Sequence, residues 1–336
     1  MTGDQGSINA EFMARALQLA ALGEGLVEPN PMVGCVLVRD GQIIGEGWHR
    51  RFGGRHAEVE AIQSVEDSTS LAVATAYVTL EPCSHFGKTP PCAQALIDAR
   101  VARVVIAVTD PNPQVDGQGV ATLSAAGVDV VVGLLAERAK QVLAPFHKLA
   151  MQRKPWVHAK WAMSLDGRIA TRAGSSRWIS SGRSREIVHA LRGRVDAIIV
   201  GRGTAEHDDP LLTARPGGPR TPMRVVLDSN ASLSSDSRLV NTVQEAPVLL
   251  ATGPNAPEKE RQRLRDGGVE VLCLEEADRG ARMALLLEEL GRRQMTNVLF
   301  EGGAEVFGVL HDHDLIDEVH AFVAPRLIGG AQAAAA

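Results

Sequence analysis

One imidazole and two thiols, His56, Cys83 and Cys92, fall close together along this chain. Such a set is what a catalytic zinc requires when its fourth tetrahedral position is kept open for water. The run His56-Ala57-Glu58 adds a carboxylate two residues beyond the imidazole, where it can reach a metal-bound water without itself binding the ion. Zinc lowers the pKa of its water toward neutrality, which makes hydroxide available to attack an amidine-like ring carbon. Glu58 then takes the water's proton and delivers it to the departing amine.

A ligand histidine, a proton-shuttling glutamate and a Pro-Cys pair leading to a second cysteine are together similar to the zinc nucleobase deaminases. The spacing between the cysteines is long for that group. One continuous helix from Cys83 to Cys92 would separate the thiols by roughly 13 Å and place them on opposite faces, so the segment must loop. Gly87 and Pro90-Pro91 supply the loop, and Pro91 suits the first turn of a helix running from Cys92 to about Ala99. A thiol at a helix N-terminus also ionises more readily. Cys35, in Val33-Gly34-Cys35-Val36, and Cys273, in Val271-Leu272-Cys273-Leu274, read instead as small core residues.

The elements that must position this set follow from periodicity. Asn9 is placed to cap a helix whose apolar positions Phe12, Met13, Ala16, Leu17, Leu19 and Ala20 recur at helical spacing, ending near Gly23 or Gly25. A Pro29-Asn30-Pro31 turn feeds a buried strand over 33–38, and Asp40-Gly41 signals a hairpin into Ile43-Ile44. Asn30, held between two prolines, is either a plain turn residue or an amide that reads a pyrimidine edge. A helix runs from His56 to about Val65. Strands near 76–80, 103–108 and 128–132 alternate with helices near 92–99 and 118–126, a βαβ rhythm that predicts a largely parallel sheet covered on both faces. The ligand set then sits at helix N-termini beside strand ends, where open α/β sheets bind ligands.

A length of 336 residues exceeds one ordinary core. The charged, proline-containing stretch Met151-Gln152-Arg153-Lys154-Pro155 divides the chain into domains 1–150 and 151–336. A net charge of −5 and an aromatic content of 4% argue against a nucleic-acid binder, for want of a basic stripe and stacking platforms. No signal peptide or membrane span is expected, and thiolate ligands need a reducing compartment, so the cytoplasm is the expected location.

In the second half, strands are expected at 156–162, 195–200, 224–228, 247–251, 269–274, 297–300 and 317–324, with helices near 182–193, 258–266, 280–293 and 303–311. There is no G-x-G-x-x-G, so a Rossmann nucleotide site is unsupported. Two glycine-rich strand ends, Val200-Gly201-Arg202-Gly203-Thr204 and Glu301-Gly302-Gly303-Ala304, could instead let a pyrophosphate approach free helix amides. Arg192 and Arg215 flank Asp208-Asp209-Pro210-Leu211-Leu212-Thr213, and a guanidinium fork suits a phosphomonoester. Most other arginines here, Arg224 among them, read as solvated surface. His311-Asp312-His313-Asp314 reads as a solvated helix end rather than a metal site.

Taken together, these residues resemble the RibD family of bifunctional riboflavin-biosynthesis proteins. The resemblance rests on Pro29-Asn30-Pro31 with Val33-Gly34, His56-Ala57-Glu58, Thr79-Leu80-Glu81-Pro82-Cys83-Ser84-His85, Gly87 with Thr89-Pro90-Pro91-Cys92, and Asp110-Pro111-Asn112-Pro113-Gln114-Val115. Ser164-Leu165-Asp166-Gly167-Arg168, Trp178-Ile179-Ser180, Asp208-Asp209-Pro210 and Glu301-Gly302-Gly303 extend it through the second half. The long cysteine spacing matches this family.

The resemblance implies an N-terminal cytidine-deaminase-like three-layer αβα domain followed by a dihydrofolate-reductase-like α/β domain. It implies one zinc per chain on His56, Cys83 and Cys92, with Glu58 as proton donor, and NADPH as second cofactor. Ala162, Trp178, Thr204, Asp208, Ser229, Gly303, Ala304, Glu305, Val306, Phe307, Gly308 and Val309 correspond to NADP-contacting positions, and Ser176, Arg192, Leu212, Arg215 and Glu301 to substrate contacts. The implied substrate is a phosphoribosylated pyrimidine, deaminated and then reduced at its ribosyl group to a ribityl chain; no nucleic acid or membrane partner is implied, and a homo-oligomer is expected. Family members continue past the alanine-rich end of this chain, so the C-terminus is expected to be incomplete. Rival readings are a zinc deaminase of another nucleoside or a tRNA base with a non-reducing C-terminal domain, and a zinc-stabilised binding module without turnover.

Overall fold

A computed structural model describes residues 2–84, 90–112, 116–172, 179–330, 333 and 335, with side chains from Asn9 onward. The chain divides into two compact units, Met1–Gln152 and Arg153–Ala336. Among the described residues no helix is long and apolar enough to cross a membrane.

The first unit runs α1 (Thr2–Ala21), β1 (Gly34–Arg39), β2 (Gln42–Trp48), α2 (Ala57–Gln63), a 3-10 turn over Ser68–Val73, β3 (Thr75–Val78), α3 (Cys92–Asp98), β4 (Arg103–Ile106), α4 (Gln118–Ala125), β5 (Asp129–Val132) and α5 (Ala136–Gln152). Its sheet has the order β2-β1-β3-β4-β5. Only β3, β4 and β5 pair in parallel, while β1 is antiparallel to both its neighbours. The expectation of a largely parallel sheet therefore fails on the β1 side. There Asp40 and Gly41, both at positive φ, turn the chain straight back as a two-residue hairpin.

Alternation along the strands sorts the core into two faces. Cys35, Leu37, Ala76, Val78, Val104 and Ile106 pack with Ala57, Ala61, Leu96 and Leu123 on the side of α2, α3 and α4. Val36, Val38, Tyr77 and Val105 pack with Met13, Ala16, Leu17 and Ala139 on the side of α1 and α5. This is the period-two signature of a sheet buried on both faces. Cys35 belongs to this core, as expected. Asn9 does not cap α1, which begins at Thr2; its Oδ1 accepts from the Tyr77 hydroxyl at 2.5 Å. On the opposite face α2 lies close against β2, because a Cβ at Gly47 would come 2.3 Å from the Ala57 carbonyl oxygen.

The second unit runs β6 (Trp156–Ser164), α6 (Gly182–Arg192), β7 (Ala197–Gly201), α7 (Arg202–Asp208), β8 (Met223–Leu227), α8 (Arg238–Asn241), β9 (Val248–Thr252), α9 (Glu258–Asp266), β10 (Glu270–Cys273), α10 (Arg279–Arg292), β11 (Asn297–Glu301), α11 (Ala304–Asp312) and β12 (Glu318–Ala324). The strand order is β10-β9-β8-β7-β11-β6-β12, and the pairings are parallel throughout. Ile198, Val200, Val226 and Leu250 face Leu239 and Leu264, while Ile199, Val225, Val298 and Phe300 face Met283, Leu286 and Leu310.

Two short helices here carry little apolar signal. In α7 only Ala205 is buried, and α8 spans a single turn. Arg224, expected at the surface, is fully buried. Its guanidinium donates to Thr242 Oγ1 and to the carbonyls of Thr242, Ala246 and Leu211, and burial lowers its pKa. A buried arginine needs acceptors of this kind; the two terminal nitrogens find them here, while Nε has none among the described residues.

Candidate functional site

Two helix starts and one loop assemble the first site. His56 is the N-cap of α2, in extended conformation, so Glu58 falls in the first turn with its carboxylate almost wholly buried. Pro91 caps α3, as the sequence suggested, and Cys92 is its first residue. An amide at that position has no partner within the helix, and the Cys92 N–H donates instead to Cys83 Sγ at 3.3 Å. The Ala93 amide donates to the Cys83 carbonyl at 3.1 Å, which ties the two ends of the cysteine loop together. Loop residues 85–89, which include Gly87, lie outside the described residues.

The three donor atoms converge. His56 Nδ1 is 3.2 Å from Cys92 Sγ and 3.6 Å from Cys83 Sγ, and all three lie within 4.8 Å of one another. Tetrahedral zinc with ordinary Zn–N and Zn–S bonds needs nitrogen–sulfur separations of about 3.6 Å, which His56 and Cys83 meet and His56 and Cys92 approach.

The electrostatics suit the same use. The Cys83 thiol is lowered to about 4, first by the hydrogen bond from Cys92 and then by His56 against the opposing effect of burial, whereas the Cys92 thiol is driven up by the same shared proton. Burial raises Glu58 above the usual carboxylate range, and the neighbouring Cys83 adds to the rise. A carboxylate lifted toward neutrality both accepts and returns a proton efficiently.

Two supporting groups were not singled out from the sequence. His49 is buried, with its ring edge-on to His56 at 5.3 Å. Its Nδ1–H donates to the Arg55 carbonyl at 2.8 Å, which leaves Nε2 to accept from the Asn30 amide at 3.2 Å and fixes the orientation of that amide. Glu81, two residues before Cys83, accepts from four backbone amides: Asp110 and Gly117 at Oε2, Gly119 and Val120 at Oε1. It anchors the Pro82-Cys83 turn to the start of α4. Glu81 stands within the 79–85 motif with no role attached to it, and none of the sequence motifs includes His49.

In the second unit a cavity of about 1050 Å³ opens at the C-terminal ends of the strands, where parallel sheets bind ligands. Ala162, Thr204, Asp208 and Ser229 line it, as do 303–306 and Val309. Phe307 and Gly308, from the same helix, do not; the Phe307 ring packs on Trp161 at 5.3 Å. Gly201 and Gly303 are the N-caps of α7 and α11, whose starts therefore face the cavity across adjacent strands. Arg192, Leu212, Arg215 and Glu301 also line it. Ser176 and Trp178 lie outside the described residues.

Arg192 is already committed. Its Nε and Nη2 donate to the two oxygens of Glu301 at 2.6 and 3.0 Å, and Lys160 Nζ stands 3.6 Å from the same carboxylate. Burial opposes the ionisation of Glu301, yet the two cations hold it down at about 2. Arg215, whose Nη1 donates to Thr213 Oγ1, is the more open cation, and burial with Arg192 and Arg238 nearby lowers its pKa. An anion drawn into this corner would relieve that crowding. Lys160 was missed from sequence because its partner lies far along the chain.

Fold and sites together define a class: a cytidine-deaminase-like domain with a zinc-type ligand set, followed by a parallel α/β domain with a nucleotide-sized cavity. The model of the cytidine and deoxycytidylate deaminase zinc-binding region matches residues 7–108, and that of the RibD C-terminal domain matches residues 155–335. The riboflavin biosynthesis protein RibD of Actinobacillus pleuropneumoniae is 40% identical over 96% of this chain and 85% of its own. RibD of Acinetobacter baumannii matches with a TM-score of 0.85 at 37% identity, covering 98% of this chain and 90% of that one. A Thermotoga maritima protein, described as a diaminohydroxyphosphoribosylaminopyrimidine deaminase/5-amino-6-(5-phosphoribosylamino)uracil reductase, matches with a TM-score of 0.84 at 38% identity, covering 97% and 89%. The chain belongs to the RibD family of riboflavin-biosynthesis enzymes, a deaminase domain followed by a reductase domain.

Proposed function

We propose that the first unit hydrolyses the 2-amino group of 2,5-diamino-6-(5-phosphoribosylamino)pyrimidin-4(3H)-one, and that the second reduces the ribosyl group of the resulting 5-amino-6-(5-phosphoribosylamino)uracil to ribityl with NADPH. The observation that carries the reading is the convergence of His56 Nδ1, Cys83 Sγ and Cys92 Sγ beside the buried Glu58 carboxylate. Zinc, when bound, supplies an activated water for hydrolysis. Glu58 accepts a proton from the attacking water and delivers it to the departing nitrogen, so ammonia leaves and a ring carbonyl remains. Asn30, pinned by His49, is offered to the pyrimidine edge.

In the second unit NADPH supplies the hydride. The chain's task there is orientation: helix starts at Gly201 and Gly303 offer free amides to the pyrophosphate, while Arg215 faces the substrate phosphate and the Arg192–Glu301–Lys160 cluster the sugar. Thiolate ligands suit a reducing compartment, hence the cytoplasm. The test supplies the diaminopyrimidine nucleotide and follows ammonia release and NADPH oxidation in one reaction. Ammonia followed by NADPH consumption is the expected sequence. Ammonia without NADPH consumption would reject the reductase half, and neither signal would reject both.

A further inference from the structure

A second convergence of metal-ligating groups lies on the β6–β12 edge of the second unit, outside the cavity. His158 and Glu318 are direct neighbours across these parallel strands, and His320 is the next residue on the same face of β12. His158 Nδ1 is 3.1 Å from His320 Nε2, His320 Nε2 is 3.2 Å from Glu318 Oε1, and His158 Nδ1 is 3.5 Å from Glu318 Oε2. Donor atoms of the three residues lie within 4.8 Å of one another. We propose that His158, His320 and Glu318 form a second metal site, for a divalent borderline transition ion of the zinc class, distinct from the thiolate site of the deaminase domain.

Three features support a metal rather than a plain hydrogen-bonded trio. Edges of a tetrahedron around zinc with nitrogen and oxygen ligands are about 3.3 Å; the imidazole–imidazole separation of 3.1 Å is close to that, and the Glu318 carboxylate reaches each imidazole with a different oxygen, so a small rotation would bring one oxygen to both. Second, the orienting shell is present. His158 Nε2–H donates to Asn297 Oδ1 at 3.2 Å, which selects the tautomer with an unprotonated Nδ1 facing the other two donors, and Trp156 Nε1 donates to Glu318 Oε2 at 3.3 Å. Ligand histidines in metal sites are fixed in this way through their second nitrogen. Third, among the described residues the ion-pair partners of the Glu318 carboxylate are the two imidazoles and not a lysine or arginine, and Lys160, two residues beyond His158 on β6, is engaged with Glu301. Two imidazoles and one carboxylate favour zinc, cobalt, nickel or copper over magnesium or calcium. The Glu318 side chain is 47% exposed, so the fourth position opens to solvent and the ion would clip edge strand β12 to β6.

The two sites are separable by spectroscopy. Full-length protein, stripped with a chelator and reloaded with cobalt(II) alone or zinc alone, should take up about two equivalents per chain, one giving the intense sulfur-to-cobalt absorption of a thiolate site and one only weak ligand-field bands. His320→Ala and, as a milder change at an exposed position, Glu318→Gln should each reduce uptake to about one equivalent and leave the thiolate absorption and ammonia release unchanged. The proposal is overturned if the wild-type protein binds a single equivalent, or if His320→Ala still binds two.

Discussion

The two candidate sites of this chain are built on opposite plans. In the first unit the chemistry sits in four side chains between His56 and Cys92, carried by the starts of two helices and fixed by one carboxylate, Glu81, that gathers four amides. In the second unit the cavity is shared among many strand ends, and its one strong local feature is an ion-paired cluster, Arg192, Glu301 and Lys160. A site that supplies its own nucleophile concentrates its groups around one ion. A site that leaves the chemistry to a bound cofactor spreads its groups to orient two large ligands.

That contrast breaks most sharply at the ligands. Cys83→Ser should remove metal from the thiolate site and take deamination to the background rate, while reduction of the aminouracil nucleotide continues; parallel loss of both activities would mean that the two domains do not work independently.

Arg192→Ala comes next in size. It would leave Glu301 buried with Lys160 as the remaining cation, so the second unit should lose on the order of 3–5 kcal/mol, read as a lower unfolding midpoint with deamination intact. The pH dependence follows from the same cluster. Glu301 is lowered from 4.5 to about 2, so its contribution to stability is fully present above its unfolded value and is lost as pH falls from about 4.5 through about 2. Glu301→Gln should flatten that part of the stability profile, and an unchanged acid limb would remove Glu301 from it.

Arg215→Gln is the subtlest change. Loss of a charge-assisted phosphate contact should raise KM in the reductase step by roughly 10- to 100-fold for the phosphorylated substrate and hardly at all for a dephosphorylated analogue. Equal effects on both would make Arg215 structural.

Legibility in the sequence followed the same division. The strands of both units and most of the helices stood out because alternation and apolar periodicity are local. The β1 hairpin was visible in Asp40-Gly41, but not its consequence for β3, since strand order is a property of the whole sheet. Helix α7 escaped because it buries only Ala205, and α8 because a single turn is too short to show a helical period. Of the sites, the cysteine loop could be argued from spacing alone, and the family resemblance supplied the cavity positions. The pairings that set the electrostatics of the second unit were invisible. Arg192 with Glu301, Arg224 with Thr242 and Ala246, and His158 with His320 join residues distant in sequence, and nothing in their flanking residues marks the partner.

The most direct measurement is ammonia release by Glu58→Gln in protein whose thiolate-bound metal has been verified. Metal retained with a loss of roughly 10²- to 10⁴-fold in deamination, and an unimpaired reductase, is the outcome expected if this buried carboxylate moves the proton. Wild-type ammonia release from that variant would contradict the account.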